Sequence, residues 1–227
     1  MQSATGRLLL SSAIKRQFSP TPRVIERCFS FSFAGPKKLQ DILKKELVGD
    51  KTPTEISEMW YSYHEGKNNV HGLVLNGNET ESLLTRAKSS PFYIQPIFRD
   101  DGHFMLVSQF FEPSHFIMAY LEDYKMDPAA AQPLLSFSIF DDYAKDKDLT
   151  LVRADILNKG IDDGEGLKVV KSMLDNYKDD DEYVNVRVFN VNPNSFDLKD
   201  FIEQKSKKWE ASASGDNSTS KTVDVNT

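Results

Sequence analysis

The sequence predicts an α+β fold, a mostly antiparallel sheet of six or seven strands with helices packed on it. Two observations lead there. The stretch Pro91–Tyr120 reads as three consecutive short strands, 92–98, 103–111 and 115–120, each dominated by β-branched and aromatic residues and separated by turn residues. Elsewhere the apolar residues recur at strand or helix spacing, and the segments are joined mostly by short turns or short helices, which favours antiparallel pairing.

Taken in order, Gly35-Pro36 opens a helix over Lys37–Leu47, with Leu39, Ile42, Leu43 and Leu47 on one face and Lys37, Lys38, Lys44 and Lys45 in solvent. Thr52-Pro53-Thr54-Glu55 has the pattern of a capping box with proline at the first helical position. Its stripe is Ile56, Met59, Trp60 and Tyr63, and the helix ends near Gly66. His64, beside that stripe, suits packing or hydrogen bonding better than catalysis. A strand over Val70–Leu75, a loop at Asn76-Gly77-Asn78 and a short helix over Thr80–Ser89, with Leu83, Leu84 and Ala87 inward, lead to the three-strand stretch.

Within that stretch, Asp101-Gly102 is expected to supply the first turn and Glu112-Pro113-Ser114 the second. Pro96 lacks a ladder donor, which argues for an edge position or a bulge. In the middle strand Phe104, Leu106 and Phe110 point one way and Met105, Val107 and Phe111 the other. Both faces are apolar, so both must be covered, by helices or in part by another protein.

Glu122–Gln132 is a loop or short helix, and Leu135, Phe137 and Ile139 alternate with Ser136 and Ser138 in a strand with one wet face. A charged turn, Asp141–Asp148, leads into a strand over Leu149–Asp155; a loop follows, then a long helix with Leu167, Val170, Met173, Leu174 and Tyr177 inward. The acids at Asp179–Glu182 break that helix before a strand over Tyr183–Phe189, with Val184, Val186 and Val188 inward. A last helix, about Asp197–Trp209, puts Leu198, Phe201, Ile202 and Trp209 toward the core.

The ends differ from the middle. Five basic residues against Glu26 alone make residues 1–30 net +4, so the rest of the chain carries −10 of the total −6. Residues 1–32 are Arg- and Ser-rich with Leu10, Ile14 and Phe18 at helical spacing, the properties of a mitochondrial transit peptide. Arg16-Gln17-Phe18-Ser19 and Arg27-Cys28-Phe29-Ser30 are similar to the sites where such presequences are cut. A single folded domain is expected over 33–210 and a disordered polar tail over 211–227. No apolar run is long enough for a membrane span, so no stable membrane insertion is expected.

The only cysteine, Cys28, lies in the leader, which removes disulfides, thiolate catalysis and Cys-ligated zinc from the mature chain. Neither a metal nor any other cofactor is expected, because the four histidines show no i, i+4 pair or zinc string. Gly160–Gly166 sits where phosphate loops sit, yet it lacks the lysine and the glycine spacing, and its three acids suit a helix start instead. The lysines near Lys37 form a solvated helix face in an acidic chain, so no nucleic-acid partner is expected. No nucleophile motif appears, and no small-molecule substrate is expected. The competing expectation is an enzyme using His103 and His115, which start neighbouring strands of the three-strand stretch and would need a pocket with convergent polar groups around them.

The strings GPKKLQDILKKEL, TPTEISEMWYSYHEGK, PFYIQPIFRDDGHFMLVSQF and LTLVRADILNKGI, in that order, resemble the mitochondrial assembly factors that chaperone the beta subunit of the ATP synthase catalytic head. The likeness runs from about Phe33 to Trp209, departing at Ala154, where the family pattern has glycine after arginine. It implies a matrix protein without enzymatic activity that holds the new beta subunit, prevents its aggregation and yields it to the alpha subunit. Trp60, Tyr63, Phe98 and Arg99 are the expected partner-contacting residues, since Trp, Tyr and Arg dominate binding hot spots; for Trp60 and Tyr63 the competing role is core packing.

Overall fold

A computed structural model describes residues 35–100 and 102–215, with side chains to 211. The leader, most of the polar tail and Asp101 lie outside the described residues. Helix α1 is Pro53–Glu65, followed by β1 (Val70–Asn76), α2 (Gly77–Ser89), β2 (Phe92–Arg99), β3 (Gly102–Phe111), β4 (His115–Tyr120), α3 (Leu121–Met126) and β5 (Pro133–Tyr143). Then come α4 (Ala144–Lys147), β6 (Leu149–Ile156), α5 (Asp163–Lys178), α6 (Asp180–Val191) and α7 (Leu198–Gly215). The six strands form one sheet in the order β1-β6-β5-β4-β3-β2, every pairing antiparallel.

Strand alternation sends β5 residues Leu135, Phe137 and Ile139 into the larger core under α2, α5, α6 and α7, where Phe116 stacks on Phe137 and meets Tyr177. The other set, with Phe140 of β5 and Leu151 of β6, meets Trp60, Ile56, Leu39 and Val48 in a second cluster beneath α1. Val107, Ile94 and Leu106 are all buried, so β2 and β3 are covered on both faces, as their two-sided apolar pattern requires. Edge strand β2 is closed to further pairing. Pro96 has no N–H, and the Asn190 side chain of α6 takes both the N–H and the carbonyl of Phe92.

Several local expectations change. Residues 37–47 form two short 3₁₀ turns, Leu39–Asp41 and Lys45–Leu47, with extended backbone at Lys44, instead of one helix. That path carries both Leu39 and Val48 into the second cluster and leaves Leu47 exposed, so tertiary burial outweighs helical propensity. The β2–β3 turn sits one residue earlier than Asp101-Gly102: Arg99 pairs with Gly102, and Asp100 carries the positive φ of 43°.

Tyr183–Phe189 is helix, not strand. Asp179 caps it by accepting from the N–H groups of Asp181 and Glu182, and Val186 and Phe189, one helical turn apart, are the buried pair while Val184 is exposed. Ser136 and Ser138 face neither water nor core; they are buried in the wall of a cavity under Gly35–Lys37. At the far end α7 runs to Gly215, past the expected domain end at 210.

Helix α2 begins directly after β1 with no loop because Gly77 lies against α4; a Cβ there would stand 2.3 Å from the Ala144 carbonyl oxygen. Gly77→Ala is expected to destabilise the fold by about 2 kcal/mol, read as a lower urea midpoint at unchanged slope.

Candidate functional site

The expected contact residues do not share one surface. Trp60 projects from α1 onto the sheet, 1% exposed, and its indole N–H donates to the Val152 carbonyl at 3.1 Å. Gly72 makes room for it: a Cβ there would lie 2.8 Å from the indole nitrogen. Trp60 is therefore a core residue. The third buried position of the α1 stripe is His64 and not Tyr63; its Nδ1–H donates to the Trp60 carbonyl at 2.7 Å, and burial holds its pKa below the usual histidine value. Tyr63 remains 44% exposed, with the Lys67 ammonium over its ring.

Phe98 and Arg99 end edge strand β2 on the other flank of the molecule. Arg99 grips Glu165 with two bonds, Nε to Oε1 at 2.5 Å and Nη2 to Oε2 at 2.6 Å, and also donates to the Gly160 carbonyl. Glu165 is the third residue of the α5 capping box, opposite Asp162. The acids of the 160–166 loop thus start a helix and tie it to β2; the paired Arg99 guanidinium holds the Glu165 carboxyl below the usual range. Phe98 is half-buried, 5.7 Å from His103 and 6.1 Å from Trp209, and the Lys168 ammonium lies over Trp209. Beside that ring a cavity of about 260 Å³ is bordered by Lys171, Lys205 and Lys208 as well as Asp175 and Glu182. An aromatic and basic surface results, at odds with the chain's overall negative charge.

His103 and His115 do not meet. His103 pairs with Phe98 at the start of β3 and His115 pairs with Phe111 at its end, which separates them by roughly 25 Å at strand rise. His115 instead faces a cavity of about 450 Å³ on the α1 side of the sheet, with Ser136, Ser138, Arg153, Asp155 and Lys37 in its walls. Its Nδ1 shares a 2.8 Å hydrogen bond with the Ser138 hydroxyl, and burial pushes its pKa down to about 4. A base that weak is poorly matched to abstracting a serine proton near neutral pH. Asp155 is held by Arg153 through three bonds of 2.6 to 3.1 Å, on the same strand. Sequence reasoning did not assemble this cavity, because its walls come from residues 35–37, 115, 132–140 and 153–158. The serine alternation in β5 was its one visible trace.

Among the described residues no group of three or more His, Cys, Asp or Glu side chains is placed to hold a metal ion, and no helix is long and apolar enough to cross a membrane. An antiparallel sheet with helices on both faces, a closed edge strand and an aromatic-basic flank places the chain in the α+β class. The chain belongs to the ATP11 protein family, whose model matches residues 30–202. It is similar to the "ATP synthase mitochondrial F1 complex assembly factor 1" of Mus musculus, 24% identical over 196 residues, covering 86% of this chain and 60% of that one. The proteins of the same name from Homo sapiens and Danio rerio are 24% identical over 174 residues and 27% over 127, covering 76% and 56% of this chain. The chain spans 60% or less of the length of each of these relatives.

Proposed function

We propose that this protein is an assembly factor for the catalytic head of the mitochondrial ATP synthase: it binds the free beta subunit, keeps it from aggregating and hands it to the alpha subunit. It works in the matrix, as a binder and not as an enzyme. The observation that carries this is family membership together with relatives named as F1 complex assembly factors. The transit-peptide character of residues 1–32 agrees with it.

Physical limits shape the contact. The holder must cover client surface and yet lose to the permanent partner, which calls for an interface of roughly 1,000 to 1,600 Å² and an affinity near micromolar, about −8 kcal/mol. Strand addition at β2 is disfavoured by Pro96 and by the Asn190 bonds to Phe92, so on that flank side chains must do the holding. Phe98, Arg99 and the neighbouring Trp209 on one flank, and Tyr63 on the other, are the contact residues the exposed surface supplies.

Phe98→Ala is expected to weaken capture of the beta subunit about tenfold with little change in thermal midpoint. Pull-down of purified beta subunit by wild type and variant, normalised to folded protein, checks it. Equal capture by both would move the contact away from this flank.

A further inference from the structure

Arg153 holds donor capacity that the fold leaves unused. A guanidinium carries five N–H groups in one plane. Nε reaches both oxygens of Asp155, at 3.1 and 2.9 Å, and Nη2 reaches Oδ1 at 2.6 Å, so Asp155 occupies the side-on edge. The end-on edge, Nη1 with the second Nη2 hydrogen, has no partner among the described residues. Arg153 is 6% exposed, and the space beside it is the 450 Å³ cavity already described. Three N–H groups of this nearly buried cation thus open onto a partly open cavity, where water or an incoming acceptor can meet them.

We propose that this cavity is a carboxylate-binding site. The end-on edge of Arg153 takes both oxygens of a planar carboxylate in the bidentate geometry that guanidinium favours, with Asp155 fixing the plane of the fork from behind. The Ser136 hydroxyl lies in the same wall. Because Asp155 neutralises Arg153, the charge that draws an anion in must come from elsewhere, and exposed Lys37 at the mouth supplies it. The volume suits a small carboxylic acid or one acidic side chain of an extended peptide. This site stands apart from the client-binding proposal and does not require it.

The test uses the full chain labelled at its arginine side chains, with the Arg153 signals assigned through Arg153→Lys. Three probes are titrated: succinate, acetyl-Gly-Glu-Gly-amide and, as the neutral control, acetyl-Gly-Gln-Gly-amide. A saturable shift of the Arg153 signals with succinate or the Glu peptide, absent with the Gln peptide, is the expected result. Saturation by succinate alone identifies a small acid as the natural occupant; saturation by the peptide alone identifies an acidic side chain. Lys37→Glu, a change at an exposed position that leaves the fold intact, should weaken the binding about fivefold at low salt. The proposal is overturned if neither acid shifts Arg153 saturably, or if the Gln peptide and the Lys37→Glu variant behave like the Glu peptide and the wild type.

Discussion

Replacing Trp60 with alanine should lower the unfolding free energy by about 4 kcal/mol and leave client capture per folded molecule unchanged. The indole is 1% exposed, packs against Phe140 and His64, and gives its only N–H to Val152 in the sheet's interior. Truncation opens a cavity between α1 and β6 and removes a partner from a buried carbonyl. Among the described residues the buried members of the smaller cluster besides Trp60 are Leu39, Val48, Ile56, Phe140, Tyr143, Leu149 and Leu151, with Ile42, Leu43, Met59 and Val74 packed against them, a small set to close a gap the size of an indole. Urea unfolding gives the stability change, and capture assays scaled to the folded fraction give the binding. An unchanged urea midpoint would remove Trp60 from the core and return it to the contact surface.

Acid should destabilise the protein as the pH falls from neutral toward about 4. Burial holds His115 at a pKa of about 4, and unfolding returns it to the ordinary value near 6.5. Between those values the unfolded chain binds more protons than the native one, so stability falls as the pH drops through that window and is fully present above it. The shift corresponds to about 3 kcal/mol from this one group. His64, also depressed by burial, with no partner for its Nε2 among the described residues, works in the same direction. Urea midpoints between neutral pH and the folded-state pKa should fall for the wild type and fall less for His115→Gln. Parallel curves for the two proteins would show that the imidazole is not buried in its neutral form.

Local signals were legible wherever the residues that decide an element are neighbours in the chain. The capping box at Thr52 and Glu55, the run from Phe92 to Tyr120, and the stripe through Val170, Met173 and Tyr177 all appear as read. The errors arose where distant partners decide. Val184, Val186 and Val188 alternate like a strand, yet Asp179 as a cap and the burial of Val186 with Phe189 make them helical. Leu39 and Val48 are both drawn into a cluster built mainly from β5, β6 and α1, and the segment between them gives up a continuous helix. Tyr63 and His64 exchange places because a stripe read from hydrophobicity prefers tyrosine, whereas the space above Gly72 is shaped for an imidazole and an indole.

The site was legible in part. Arg99 was expected at a partner contact; in the fold its fork is spent on Glu165, which only the tertiary structure brings near. Trp209 was placed toward the core; it also joins Phe98 and Lys168 at the flank. The His103 and His115 pair failed for a simple reason. Adjacent antiparallel strands run in opposite directions, so residues at the starts of both lie at opposite ends of the sheet.

Purified protein mixed at near-equal molar ratio with isolated beta subunit, followed by light scattering as the beta subunit is diluted from denaturant, tests the central proposal most directly. The beta subunit should stay soluble in a complex with this protein and leave it when the alpha subunit is added. Scattering that rises on the same course with and without the protein would contradict a role as its holder.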